Sequence, residues 1–425
     1  MTAVAPQAAA VPVDAARIRS WKTPVILAVF SLIAILLFVA LRRGDQTGFR
    51  LSRGADLLQL PEITLPTLAT GVVVSLILVG ITAFSAWLTS RYVRTPLWLI
   101  TAFAIVFMVG FLTWTAADAS LPVYGLFVGT IALAAPLIFG ALGGVISERV
   151  GVVNVAIEGQ LLAGAFTSAV VASVTNQPLL GLVAAMVAGV LVSFVLAAFA
   201  IKYIVDQVIV GVVLNVLVTG LTSFLYSQVL TEDAATLNSP ERFSTIPIPI
   251  LSQIPVIGPA LFQQTIIVYL MYIAVAVVWF ALFKTRWGLR LRSVGEHPTA
   301  ADTVGIKVNR TRFINVSIAG AIAGLGGAYF TLGSVGTFTK EMTAGAGFIA
   351  LAAVIFGRWD PIRATLAALL FGFAQNLQNV LSAIGSPVPS EFMLMLPYVL
   401  TIFAVAGLVG HARGPAASGK PYIKS

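Results

Sequence analysis

Cysteine is absent from this 425-residue chain, which excludes disulfides, thiolate metal sites and cysteine nucleophiles. Histidine is scarce as well, with His297 and His411 the whole complement, and only 16 residues are acidic. Charged residues make up 10% of the chain, where an ordinary soluble protein carries about a quarter. What takes their place is apolar, at 59% hydrophobic residues and a mean hydropathy of +0.99. That balance predicts a polytopic membrane protein, all-α, because a lipid-facing segment must satisfy its own backbone.

A bilayer core of ~30 Å takes about 20 helical residues per crossing. Up to twelve runs qualify: Pro24 to Leu41, Leu68 to Thr89, Leu97 to Ala117, Tyr124 to Ile146, Asn154 to Val174, Leu179 to Ile201, Ile209 to Val229, Thr265 to Phe283, Phe313 to Leu332, Ile362 to Ile384, Phe392 to Gly410, and the 13-residue Gly345 to Gly357. The last is short enough to be re-entrant or half-length. The expected architecture is therefore a bundle of about 10–12 transmembrane helices. The run from Pro24 ends in LRRG without a small-residue cleavage site, which reads as an uncleaved anchor.

The 25 basic residues give a net charge of +9. If the polar stretch from Lys284 to Arg312 is cytoplasmic, counting crossings both ways collects 19 of the 25 on that side, as the positive-inside rule requires. Both termini then lie in the cytoplasm, and the charge calls for no nucleic acid. Arg42, Arg43, Arg50 and Arg53 fall on the opposite side in this count. Three parts follow: an extension of about three helices over 1–121, a core over 122–410, and a tail over 411–425. An external loop, Thr231 to Gln264, carries five prolines and reads as an extended cap.

The polar stretch Lys284 to Arg312 contains Thr299-Ala300-Ala301-Asp302, which fits a capping box opening a short helix. Gly305 can close it in the left-handed conformation. The product is a small exposed docking element. A second break, Ser147 to Gln160, places Asn154 and Glu158 four apart on one predicted helix face. A carboxylate near the end of a span is costly unless it meets water or a partner. Glu158 therefore serves a pathway, or it caps a helix dipole or pairs with Arg149.

Two polar stripes could line a pathway. Asn215, Thr219 and Ser223 recur on one helix face, and Gln375, Gln378, Asn379 and Ser382 on another. Amides and hydroxyls donate and accept, which suits a polyhydroxylated or heterocyclic solute, though the same groups also bond helices to each other. The glycine clusters Gly140 to Gly144 and Gly320 to Gly327 predict backbone-to-backbone packing. Buried proton relays are wanting, which disfavours an ion-coupled carrier. The tail sequence GPAASGKP, Gly414 to Pro421, lacks the final Ser or Thr of a phosphate loop. Energy for transport must then come from another chain.

Three motifs in order, APLIFGALGGVISERVGVVNVAIEGQLLAGAF from Ala135, VGEHPTAADTVGIKV from Val294 and TAGAGFIALAAVIFGRWDPIRATLAALLFG from Thr343, resemble the permease of the branched-chain amino acid, ribose and nucleoside class of ABC importers, most closely its nucleoside or simple-sugar branch. The resemblance covers about 122–410 and leaves 1–121 outside. It implies alternating access driven by an ATPase that receives the cytoplasmic loop at Gly295, Glu296, Ala300, Ala301 and Gly305, with Thr299 and Asp302 forming the helix. It also implies a second homologous permease, an external solute-binding lipoprotein, and ATP and magnesium held by the partner, with no cofactor in this chain. The expected setting is a bacterial plasma membrane, and the expected solute a nucleoside, with simple sugars such as ribose as the alternative.

Overall fold

The computed structural model describes residues 20–54, 56–385, 388, 389, 395 and 414–424. The predicted run Phe392 to Gly410, Met395 apart, and His411, Arg17 and Arg19 lie outside them. The chain divides into two compact units, one of Met1–Phe49 with Glu62–Leu121, the other of Arg50–Pro61 with Pro122–Ser425.

In the first unit, α1 (Lys22–Ala40), α2 (Thr67–Ser90) and α3 (Leu97–Thr115) pack around Leu27, Phe38, Val74, Leu78 and Phe103. Gly71 and Gly110 admit the Phe38 side; a Cβ at Gly71 would stand 2.5 Å from the Phe38 carbonyl oxygen. Short strands β1 (Gln46–Arg50), β2 (Ile63–Pro66) and β3 (Ser120–Pro122) form a sheet in the order β2-β1-β3, with Gln46 opposite Pro66 and Phe49 opposite Ile63.

The second unit is built on α4 (Val123–Arg149), α5 (Ile157–Thr175), α6 (Pro178–Lys202), α7 (Gln207–Leu230), α8 (Ile266–Lys284), the short α9 (Arg286–Glu296) and α10 (Pro298–Thr303), α11 (Val308–Val335), the half-length α12 (Ala346–Phe356) and α13 (Pro361–Ala383). Nine helices of the described residues are long and apolar enough to cross a bilayer. At 23 residues α13 is long enough as well, its hydropathy being diluted by the amide stripe. Burial sorts the spans: 67% of the apolar window of α4 is inside the unit, 61% of α5 and 56% of α11, against 28% of α8. The first three are the core, and α8 is peripheral.

Small residues explain why. A Cβ at Gly189 of α6 would lie 2.0 Å from the carbonyl oxygen of Gly320 on α11, and one at Gly324 would lie 2.2 Å from that of Ala185. The backbones touch, which in lipid replaces the hydrophobic driving force with close van der Waals packing. Helix starts are marked by Asp206, whose carboxylate takes the amides of Val208 and Ile209, and by Asp360, which takes that of Arg363 ahead of Pro361 at the first helical position.

The ends of the unit can be told apart by contacts. At one, Arg149 Nε donates to the Trp359 carbonyl at 2.9 Å, and the amide of Ala417 donates to Gly295 at 2.9 Å. We call this the basic end. At the other, Asn238 exchanges two hydrogen bonds with the backbone of Phe338, and Arg242 donates to Ser334. Beside it the segment 231–264 is not the extended cap that its prolines suggest. It holds short helices at Ala234–Leu237 and Ile257–Leu261 and an antiparallel pair, β4 (Thr245–Pro247) with β5 (Gln263–Thr265). Tyr269 donates its hydroxyl to Ile246, and Gln264 donates its amide to Pro259 and Ala260. These bonds offer the loop backbone partners that a polyproline conformation lacks.

Candidate functional site: a capped half-helix and a helical handle

The handle folds as two short helices. Thr285 opens α9 by accepting the Gly288 amide at 3.2 Å. α10 starts at Pro298, with His297 before it and no side-chain cap. The capping box expected at Thr299 is thus not formed. Proline fixes φ in the helical range and lacks an N–H to satisfy, so it starts the helix one position before Thr299. At the other end Gly305 has φ +86°, and the amides of Gly305 and Ile306 donate to Asp302 and Ala301. That is the Schellman closure expected of this glycine.

The predicted docking residues separate by exposure. Glu296, Thr299, Ala300 and Gly305 face solvent, Asp302 is half-buried, and Gly295 and Ala301 are buried. A Cβ at Gly295 would stand 2.0 Å from the Arg149 carbonyl oxygen, so α9 is seated on the last turn of α4. A groove of about 400 Å³ runs along the handle, lined by Leu289, Ser293, Glu296, His297, Ala300 and Val304. The tail lies against the same helices: Ala416 donates its amide to Glu296, and Tyr422 is hydrogen-bonded to Asp302. Partial burial, followed by that bond and the carboxylate charge, pushes the Tyr422 phenol above its ordinary value. The phosphate-loop look-alike in the tail is a turn that runs into extended residues, with no helix after it.

Between α4 and α5 the chain breaks at Gly151, φ +96°, and residues 150–160 are mostly buried. Asn154 precedes α5 and shares no helix face with Glu158, contrary to the spacing argument. Its amide exchanges two 3.1 Å bonds with Gln160, which also donates to Ser193 at 2.9 Å. Asn154 is a fully buried clasp and lines no cavity among those described here. Asn215 likewise binds backbone, accepting from Gly159 at 2.8 Å and donating to Val155 at 2.9 Å.

Glu158 reaches across 185 positions. Its Oε1 accepts from Thr343 Oγ1 at 2.6 Å and from the Gly345 amide at 2.9 Å, and its Oε2 accepts from the Gly347 amide at 2.6 Å. The carboxylate therefore caps the N-terminus of α12, where orphan amides and the helix dipole favour negative charge. At eleven residues α12 spans only about 16 Å. The irregular segment 336–345, a run of bends and turns, carries the chain from the far end to its start, so it and the half-helix together make one crossing. Gly336, Glu341, Ala344 and Gly345 all have positive φ there.

Two cavities flank this junction. One of about 530 Å³ is lined by Glu158, Asn215, Thr219, Glu341, Thr343 and Phe348 among others. The second, about 240 Å³, is lined by Pro136, Tyr329, Thr343, Ala344 and Gln375. Thr343 and Ala344 belong to both. Of the predicted pathway residues, Glu158, Asn215 and Thr219 meet in the first cavity and Gln375 enters the second. Gln378 is half-buried and Asn379 exposed further along α13, and neither borders these cavities.

Sequence reasoning missed Glu148 and Trp359. Glu148 is 5% exposed and accepts the Trp359 indole hydrogen, just beyond the end of α12. Glu148 and Glu158 are thus both buried carboxylates of this unit, where sequence alone predicts that buried relays are wanting. Arg312, 1% exposed, donates Nη1 to the Lys420 carbonyl of the tail at 2.9 Å, while its Nε and Nη2 have no partner among the described residues. Nothing local in the sequence marks either contact, because the partners are distant.

A family model described as the branched-chain amino acid transport system / permease component matches residues 126–405. The chain is 47% identical over 304 residues to the guanosine ABC transporter permease protein NupQ of Bacillus subtilis, covering 69% of this chain and 95% of that one. It is 42% identical over 299 residues to the nucleoside ABC transporter permease protein NupC of Lactococcus lactis, covering 68% and 94%. A putative glucose ABC transporter permease protein of Haloferax volcanii, TsgC13, is 39% identical over 254 residues, covering 60% and 77%. No solved structure matches.

Proposed function

The chain belongs to the branched-chain amino acid transport system / permease component family, and we propose that it is the membrane subunit of an ATP-driven importer that carries nucleosides. The observation that carries this reading is the joining of two features in one compact unit. Cavities with mainly apolar walls and a few polar groups, Glu158, Asn215, Thr219 and Thr343 in the larger, lie among the spans, and an exposed helical handle is seated by Gly295 on the end of a core helix. A handle of that kind transmits force from outside the membrane to the pathway. The choice of nucleosides over simple sugars rests on likeness to the two permeases named for guanosine and nucleosides.

The proposed roles follow from position. Glu296, Thr299, Ala300 and Gly305 meet a separate ATPase, which supplies ATP and magnesium, while Gly295, Ala301 and Asp302 hold the handle in shape. The basic end faces the cytoplasm of a bacterial cell, as the positive-inside rule asks, with both termini on that side. Exposed Phe348 and Val216 at the rim of the larger cavity leave an apolar opening for a second, homologous permease to cover. The folded loop 231–264 at the far end would receive the solute-binding lipoprotein.

Co-expression with an ATPase, a second permease and a binding protein, followed by reconstitution in liposomes, tests this. ATP-dependent accumulation of guanosine or uridine is expected. Uptake of ribose or glucose in preference to nucleosides would overturn the substrate, and uptake by the chain alone down an ion gradient would overturn the mechanism.

A further inference from the structure

We propose that the turn Thr343-Ala344-Gly345 is a gate between the two cavities, and that Glu158 is the positioning residue that holds it shut. The proposal rests on the permease reading above and names the moving part. Three independent features meet at this turn. Thr343 and Ala344 form the wall common to the 530 Å³ and 240 Å³ cavities, so displacing them joins the two spaces. Left-handed backbone occurs in the turn at Ala344, φ +44°, and just before it at Glu341, φ +54°, conformations that cost about 1–3 kcal/mol each when the residue is not glycine. Such a backbone persists only while its surroundings hold it. What holds it is the Glu158 carboxylate, through the Thr343 hydroxyl and the Gly345 and Gly347 amides.

The other end of α12 supplies the drive. Past its last residue, Trp359 donates its indole hydrogen to Glu148, and its carbonyl accepts from Arg149. Both partners lie on the final turn of α4, whose Arg149 carbonyl is the seat of Gly295 on the handle. A shift of the handle is thus delivered to one end of a rigid half-helix, and the strained, carboxylate-held turn sits at the other. A rigid lever between a docking surface and a strained turn is a two-position element. The turn then yields at the Glu158 bonds, which tie it and the first turn of α12 to the start of α5.

The chain has no cysteine, so a single Ala344→Cys replacement provides a unique thiol at the gate. In liposomes holding the full complex, a membrane-impermeant methanethiosulfonate reagent is applied without nucleotide and after ATP–vanadate trapping. A gate that moves from a minor to a major open population changes the labelling rate about tenfold between the two states. Adding Glu158→Gln, which places an amide N–H₂ against donor groups, should make labelling fast in both states, and Glu158→Asp should restore part of the difference. Should Glu158→Gln fail to assemble, Thr343→Val removes one bond only and should raise the nucleotide-free rate. Equal labelling of Ala344→Cys in both states, with Glu158 intact, would overturn the gate. That ratio is read whatever solute the complex carries, so missing nucleoside uptake counts against the substrate and an invariant ratio counts against the gate.

Discussion

Trp359 and Glu148 are joined by a hydrogen bond across 211 positions, indole to carboxylate, both buried at the basic end of the bundle. The bond ties the residue that ends the half-helix α12 to the last turn of the core helix α4. A buried carboxylate without a donor is costly, so Trp359→Phe should lower stability by about 1–3 kcal/mol. Thermal unfolding in detergent would measure it. Glu148→Leu together with Trp359→Phe should cost less than the sum of the two single changes, since each removes the same bond; strict additivity would show that the pair does not interact.

Gly295 and Gly305 should part company on substitution to alanine. A methyl at Gly295 meets the Arg149 carbonyl at 2.0 Å and must push α9 off its seat, whereas nothing lies within 4 Å of a Cβ at Gly305. Overpacking of this kind costs about 1–3 kcal/mol or more. Gly305→Ala should cost only about 1 kcal/mol, from its positive φ. Expression level and unfolding temperature of the two variants give the comparison.

Ala300 and Ala301 are adjacent and both border the groove, but they differ in burial. Ala301 is 3% exposed and packed into the unit, whereas Ala300 faces solvent. Ala300→Trp should leave the fold intact and weaken capture of the ATPase, by about tenfold or more for a blocked hot spot. Ala301→Trp should reduce folded protein in the membrane instead. Size-exclusion yield and ATPase pull-down from detergent separate the two effects.

Part of this was legible along the chain and part was not. The Gly305 closure and the glycine contacts between helices depend on neighbours within a turn or on residue size, and sequence carries that information directly. The capping box at Thr299 failed because Pro298 offered a stronger start one step earlier. Asn154 was misplaced on a helix because the turn that Gly151 opens runs as far as Ala156. The Glu158 cap was beyond reach for another reason. Dipole capping was among its readings, but the amides it takes lie 187 and 189 positions away, and periodicity is blind to such pairs.

The tail should detach with rising pH. The Tyr422 phenol is held above its ordinary 10.0 by partial burial and by Asp302. The folded state therefore binds a proton more tightly than the free tail does, and the contribution is fully present below the unfolded value and lost as pH rises through the folded one. The protection factors of residues 414–424, which divide out the base-catalysed rise of intrinsic amide exchange, should stay constant to about pH 10 and fall above it. In Tyr422→Phe the exchange should be faster at neutral pH and lose this step.

Among the described residues, Arg312 is buried with two nitrogens unpartnered and a tail carbonyl to bond. Replacing a poorly paired buried charge by an apolar side chain of similar reach is commonly neutral or stabilising by about 1–4 kcal/mol. Arg312→Met should therefore raise the unfolding temperature or leave it unchanged.

The most direct measurement is ATP-driven solute uptake by the complete complex in liposomes, with hydrolysis followed in the same sample. The wild-type chain should accumulate nucleoside and stimulate hydrolysis, and Ala300→Trp should abolish both while the permease remains folded. Accumulation that persists without ATP or with Ala300→Trp would contradict a permease worked through this handle.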